Sequence, residues 1–159
     1  SKQVLGQYFT PWPVASMMSR ITAGERPEPA SDGQLIRICD PACGSGVMML
    51  AFLDTVLTDW GIDELRRISV TGCDLDSYCS RMMATQLLAN ITQHDLTLGE
   101  IVVLHGNSLT PWQNLDTILH ASSPEAVIIP AQAPSRLQAL ACAAASDPYQ
   151  TQLNLFEAA

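Results

Sequence analysis

The sequence predicts an α/β domain built on a parallel central sheet with helices on both faces, and three observations predict it. Apolar strand-like runs alternate with segments of helical period in the order strand, helix, strand, helix, strand. A glycine-containing loop joins the first of these strands to the first long helix. The chain of 159 residues is 47% hydrophobic and only 15% charged, which suits one sizeable core and excludes a disordered tail or a two-domain enzyme.

Taken in order, Thr10 followed by Pro11 predicts a helix start, with the Thr10 hydroxyl as N-cap and proline in the first turn. Val14, Met17, Met18 and Ile21 then recur on one face of that helix, and the methionines read as core filling. Gly24 to Gly33 is a loop. Leu35 to Cys39 reads as a strand, Gly46 to about Trp60 as a helix, and Ile68 to Cys73 as a strand. Ser77 to Asn90 reads as a helix with Asp76 in position to cap it, and Ile101 to Leu104 as a third strand. Right-handed crossovers join such strands in parallel, and ligands bind beyond their carboxyl ends, so chemistry is expected just after Cys39, Cys73 and Leu104.

Past Leu109 the pattern becomes irregular. Asp116 to His120 and Ala126 to Ile129 both read as short strands, yet only Ala121 to Glu125 separates them. Parallel neighbours need a crossover of about a dozen residues, so one is not a strand, or the two form a hairpin, or an intervening element has been lost. Ser135 to Ala145 reads as a helix. The expected organisation is one domain over residues 1–145 and a polar tail over 146–159 that ends in an apolar cluster.

Composition also limits the partners. Sixteen acidic residues against eight basic ones leave a formal charge of -8, and the basic residues are scattered apart from Arg66-Arg67. A free-standing nucleic-acid clamp neutralises phosphates with clustered cations, so DNA is expected only together with a partner protein that supplies the basic surface. Five cysteines without a C-x-x-C pair, in a sequence with no signal-peptide character, predict reduced thiols and a cytoplasmic setting. His94, His105 and His120 do not fall at ligand spacings, so no metal is expected. The longest apolar run, Val47 to Leu57, is interrupted by Asp54 and is too short to span a bilayer, so no membrane is expected either.

The predicted strand ends carry a constellation. Asp40-Pro41-Ala42-Cys43-Gly44-Ser45-Gly46 follows the first strand and opens the long helix, where glycines let backbone amides approach a ligand and the helix amino terminus favours an anion. Asp74 and Asp76 end the second strand, where a carboxylate can accept hydrogen bonds from both hydroxyls of a ribose. Gly106-Asn107-Ser108-Leu109 ends the third and offers an amide and a hydroxyl to a base edge. Groups suited to a carboxylate, a ribose and a base at three successive strand ends describe a site for a nucleoside-containing cofactor.

At these residues the sequence resembles the S-adenosylmethionine-dependent N6-adenine DNA methyltransferases of restriction-modification systems. Gly6-Gln7-Tyr8-Phe9-Thr10-Pro11 resembles that family's amino-terminal cofactor motif, Asp40 to Gly46 its glycine-rich motif, Gly72-Cys73-Asp74-Leu75-Asp76 its acidic motif, and Gly106 to Leu109 its adenine-side motif. The resemblance implies a shortened Rossmann-like methyltransferase fold, S-adenosylmethionine as cofactor, and a bacterial, cytoplasmic DNA-methylation role. It implies further that Thr10 and Asp40 bind the methionine end, Asp74 the ribose and Asn107 the adenine, with Leu75 and Leu109 flanking the base, and that Tyr8, Pro41, Ala42, Gly44, Ser45, Gly46 and Ser108 belong to the same cofactor site.

The catalytic motif of that family, Asn or Asp followed by Pro-Pro and an aromatic residue, should follow the fourth strand. Here Asp116-Thr117-Ile118-Leu119-His120 runs into Ala121-Ser122-Ser123-Pro124. The chemistry needs carbonyl acceptors for the adenine amine and an aromatic face for the flipped base, and neither follows that strand. Asp147-Pro148-Tyr149 is a catalytic candidate of similar composition, but it lacks one proline, follows a helical segment, and also reads as a turn. The resemblance therefore implies a protein that binds cofactor and is catalytically incomplete without a partner, or else a non-catalytic accessory module derived from such an enzyme.

Structural readings stand beside the functional ones. Asp74 and Asn107 could serve a cap and a turn, and Cys43 beside the glycines is either a nucleophile or a small packing residue. Near the carboxyl terminus, Gln152-Leu153-Asn154-Leu155-Phe156 resembles the peptide by which bacterial replication and repair proteins dock on the sliding clamp, with Leu155 and Phe156 entering an apolar pocket. The same Leu153, Leu155 and Phe156 could instead cover a sheet edge.

Overall fold

The computed structural model describes residues 8–28 and 35–123. The expected strand at Ala126 to Ile129, the helix at Ser135 to Ala145, the catalytic candidate Asp147, Pro148 and Tyr149, and the clamp-like Gln152, Leu153, Leu155 and Phe156 all lie outside the described residues.

The elements follow in the order α1 (Trp12–Ala23), β1 (Ile36–Asp40), α2 (Val47–Thr55), β2 (Ile68–Asp74), α3 (Ser77–Gln93), β3 (Glu100–His105) and β4 (Asp116–Ser122). Short turns of π-helix (Val56–Trp60) and 3-10 helix (Ile62–Arg67, Trp112–Asn114) fill the connections. The sheet order is β1-β2-β3-β4, with β1, β2 and β3 parallel as expected and β4 antiparallel to β3. The reversal has a simple cause. Residues 106–115 join β3 to β4 through a single short turn of helix, and a parallel return needs a crossover of about a dozen residues or more. Two histidine–carboxylate contacts span the antiparallel edge, His105 Nδ1 to Asp116 Oδ2 at 3.3 Å and His120 Nε2 to Glu100 Oε1 at 3.2 Å.

The expectation of helices on both faces is corrected for the described residues. Register places Ile36, Ile38, Ile68, Val70, Ile101 and Val103 on one face, and these share a core with Met49, Phe52 and Val56 and with Met83, Ala84 and Leu87 of α3. Arg37 and Cys39 on the other face are exposed, and a small cluster of Cys73, Val102, Leu104 and Leu115 forms its remainder. Right-handed crossovers that step in one direction, β1 to β2 to β3, return on one side; helices on opposite sides require the strand order to reverse.

Helix α1 also departs from its pattern. It begins at Trp12, and the residue that caps it is Pro11, whose carbonyl accepts the amides of Val14 and Ala15 at 3.0 and 3.1 Å. Thr10 makes no cap, because the chain turns helical one residue later than its hydroxyl requires. The helix packs on α2 through Ala15 and Ser19, with the Ser19 and Thr55 hydroxyls 2.7 Å apart. Its apolar stripe of Val14, Met17, Met18 and Ile21 faces outward, Ile21 at 75% exposure. Small residues permit close helix approach, and here that contact prevailed over the larger apolar face. The methionine pairs of α2 and α3 behave as expected in part: Met49 and Met83 are buried, while Met82 stays partly exposed.

In α3 the sequence reading holds. Asp76 is the N-cap, its carboxylate accepting the Tyr78 amide at 2.9 Å. At the far end of the sheet, the nearly buried Glu64 receives Arg26 at 2.6 Å and also Arg67, which ties the loop after α1 beneath the start of β2.

Candidate functional site

A cleft of about 400 Å³ lies across the carboxyl ends of the three parallel strands, within the range of about 300–1,000 Å³ usual for small-molecule and cofactor sites. Tyr8 and Phe9, ahead of α1, form one rim. Pro41, Ala42 and Gly44 from the loop after β1 form a second wall, and Asp74 and Leu75 from the end of β2 a third. Asn107, Ser108 and Leu109 after β3 close it. Thr10, Asp40, Ser45 and Gly46, also expected at the site, do not line this cleft. Phe9, Cys79 and Gly106 line it in addition. Phe9 and Gly106 stand inside the motifs legible in the sequence; Cys79, in the first turn of α3, carried no signal.

Asp74 is the hub. Its Oδ2 accepts the Gly44 amide at 2.7 Å, its Oδ1 the Asp76 amide at 2.9 Å, and its backbone carbonyl the Gly106 amide at 2.9 Å. One residue thereby ties the glycine loop, the start of α3 and the end of β3. An ionised carboxylate offers about four acceptor positions, so the bonds from Gly44 and Asp76 leave Asp74 capacity to receive hydroxyl donors from the cleft. Its possible role as a helix cap belongs instead to Asp76.

The glycine loop works differently from the expectation that its amides face a ligand. The Cys43 amide goes to Cys73 O at 2.9 Å, the Gly44 amide to Asp74, and the Gly46 amide to Cys43 O at 2.8 Å. Gly44 has φ +52° with open space where a Cβ would stand, so it presents bare backbone to the cleft. Gly46, at φ +85°, is buried against Met83, which approaches within 2.7 Å of the position of an added Cβ. Ser45 is buried too, its carbonyl accepting Gln86 Nε2 at 2.8 Å.

Asp40 accepts the Ala42 amide at 3.0 Å. Burial holds its carboxyl above the ordinary carboxylate range, the Ala42 bond opposes that shift, and the nearby Asp74 charge adds to it. Cys43 packs in the core with its thiol pushed far up, first by burial and then by Asp74 and Asp40. A thiol so disfavoured as thiolate is a packing residue and no nucleophile. Asn107 makes the turn that the sequence left open, its Oδ1 accepting the Leu109 amide at 3.0 Å, while it also lines the cleft.

A strand-end cleft with an acidic hub, fed by four motifs in this order, agrees with the comparison of the chain with known families. The family described as N-6 DNA Methylase matches residues 1–127. The chain belongs to that family. No curated protein matches it.

The fold of this family member is accordingly a shortened α/β methyltransferase-like fold, and its function is of methyltransferase type. One feature bears on how such a function is carried out. Because β4 runs against β3, it starts at Asp116 beside His105, near the cleft, and finishes at the opposite end of the sheet, where the Ser123 amide donates to Gly99 O at 2.9 Å. The position after the fourth strand, where the family's reacting-base motif was expected, therefore lies away from the cleft. Among the described residues no group of three or more His, Cys, Asp or Glu is placed to hold a metal ion, and no helix is long and apolar enough to cross a membrane.

Proposed function

We propose that this chain is the S-adenosylmethionine-binding part of an N6-adenine DNA methyltransferase, and that a partner chain brings the groups that hold the target adenine. The Asp74 hub carries the reading: a buried carboxylate with spare acceptor capacity, at the floor of a cleft whose open rim holds Leu75 and Leu109. In that role Asp74 receives the ribose hydroxyls, Leu75 and Leu109 cover the faces of the adenine, and Asn107 and Ser108 meet its edge. Gly44, Pro41 and Ala42 shape the wall for the amino-acid end, and Asp74 beside them favours its positive charges. S-adenosylmethionine supplies an electrophilic methyl group on a positively charged sulfur. The chain's own contribution is to hold that group at the mouth of the cleft, so that an adenine amine presented from outside attacks in line.

Partner dependence rests on β4. Its carboxyl end points away from the cleft, and the sequence after it carries no Asn-Pro-Pro-aromatic run. With a charge of -8 the chain also presents DNA with a repulsive field. The test is calorimetric titration of S-adenosylmethionine into the protein and into Asp74→Ala. Saturable binding lost in the variant is expected, with no DNA methylation by the chain alone. No binding by folded parent at millimolar cofactor would overturn the reading.

A second reading has its own observation, the Gln152-Leu153-Asn154-Leu155-Phe156 sequence. It makes the chain an accessory module that docks on the bacterial sliding clamp without transferring methyl groups. A pull-down with the clamp, compared with a Leu155→Ala, Phe156→Ala double variant, tests it; equal capture of both, or of neither, rejects it.

A further inference from the structure

Behind the cleft, one face of α3 carries three residues that each reach a different motif. Ser80 is fully buried, and its hydroxyl lies 2.9 Å from Leu104 O and 3.4 Å from Asp74 O, where it donates across the ends of β3 and β2. Met83 fills the notch left by Gly46 and Gly72, within 2.7 and 2.2 Å of where their Cβ atoms would be. Gln86 donates its Nε2 proton to the carbonyl of Ser45, at the back of the glycine loop, at 2.8 Å. Positions 80, 83 and 86 fall on one side of a helix, so a single rigid element sets the separation of all three walls.

We propose that α3 is the spacer of the cleft, Ser80 positioning the adenosine half and Gln86 the methionine half. The proposal rests on the cofactor reading above and assigns positioning residues that the family motifs do not include. Neither side chain lines the cleft; each acts through backbone. Ser80 fixes the gap between Asp74 and the 106–109 loop, which would hold ribose and base. Gln86 fixes Ser45, and with it the neighbouring Gly44 wall that would face the amino-acid end. Removing Gln86 takes away the side-chain donor to the Ser45 carbonyl, removing Ser80 takes away the hydroxyl that joins the Leu104 and Asp74 carbonyls, and each change lets only its own wall drift.

Two ligands separate the halves: S-adenosylhomocysteine carries both, whereas 5′-methylthioadenosine carries the adenosine half alone. Calorimetry well below the unfolding temperature is expected to show Ser80→Ala weakening both ligands about tenfold, the scale of one lost buried hydrogen bond. Gln86→Ala is expected to weaken S-adenosylhomocysteine by a similar factor and to leave 5′-methylthioadenosine within about twofold. If Ser80→Ala does not fold, Ser80→Cys, which keeps the volume and a weak donor, gives the same comparison with a smaller loss. A Gln86→Ala loss that falls equally on the two ligands, a Ser80→Ala loss confined to S-adenosylhomocysteine, or no loss in either variant, in a parent that binds both, would overturn the proposal and leave the cofactor reading intact. A parent that binds neither overturns both.

Discussion

Gly72→Ala perturbs the contact on which the arrangement of α3 depends. An added Cβ would stand 2.2 Å from Met83 Sδ, 2.5 Å from Met83 Cε and 3.3 Å from Cys43 Cβ, against the roughly 3.5–4.0 Å of an unstrained carbon contact. The tip of Met83 would have to retreat by more than about 1 Å to reach that separation. The thioether is flexible, but the side chain is fully buried within the core, so its retreat must push on neighbouring side chains. Overpacking of this kind costs about 1–3 kcal/mol, while alanine regains about 0.5–1 kcal/mol over glycine inside a strand. A clash of this depth belongs in the upper part of the first range, about 2–3 kcal/mol, so the steric term wins by about 1–2.5 kcal/mol. In a domain of this size that lowers the melting temperature by about 2–10 °C. Met83→Ala alone should cost about 2–5 kcal/mol through its cavity, but in the double variant the new methyl enters vacated space. Urea unfolding of the four proteins should therefore give a favourable coupling of about 1–3 kcal/mol. A Gly72→Ala protein as stable as its parent, or strictly additive losses, would refute this account of the packing.

Asp74→Asn keeps one acceptor but turns an amine toward the Gly44 or Asp76 amide, so it should cost about 1–3 kcal/mol in urea unfolding even without ligand; an unchanged midpoint would deny Asp74 its hub role. Asp40 has a raised folded-state pKa, so the folded protein holds that proton more tightly than the unfolded chain does. Its contribution is most favourable below the ordinary carboxylate value and is lost as pH rises through the folded value. Asp40→Asn, which keeps an acceptor for Ala42, should thus stabilise the protein at pH 7, with the gain shrinking on acidification; a gain that grows at low pH contradicts the sign. On α1, Ile21→Ser should change stability by less than about 0.5 kcal/mol, while Ala15→Leu should cost about 1–3 kcal/mol. The reverse order in thermal melts would restore the outward stripe to the core. Glu64→Ala, which strips Arg67 and Arg26 of their acceptor, should cost about 1–3 kcal/mol, less in high salt because Arg26 is half exposed.

The sequence by itself determined the kinds of element, their order, and which residues stand at strand ends. Those features are local: the Asp76 cap, the apolar runs of β2 and β3, and glycines that admit a positive φ. The same locality made the four motifs legible and put Asp74, Leu75 and the 106–109 loop around one cleft. Tertiary structure alone decided which way elements face. Periodicity shows that α1 has an apolar stripe, but whether the stripe or the small Ala15–Ser19 side meets α2 depends on how closely two helices can approach. A strand pattern carries no direction, so the short link of residues 106–115 was needed to turn β4 antiparallel and carry its end away from the cleft. Both crossovers step the same way, which puts the helices on one face. The links from Ser80, Met83 and Gln86 to three separate motifs join residues as far as 41 positions apart, and no window along the chain contains them.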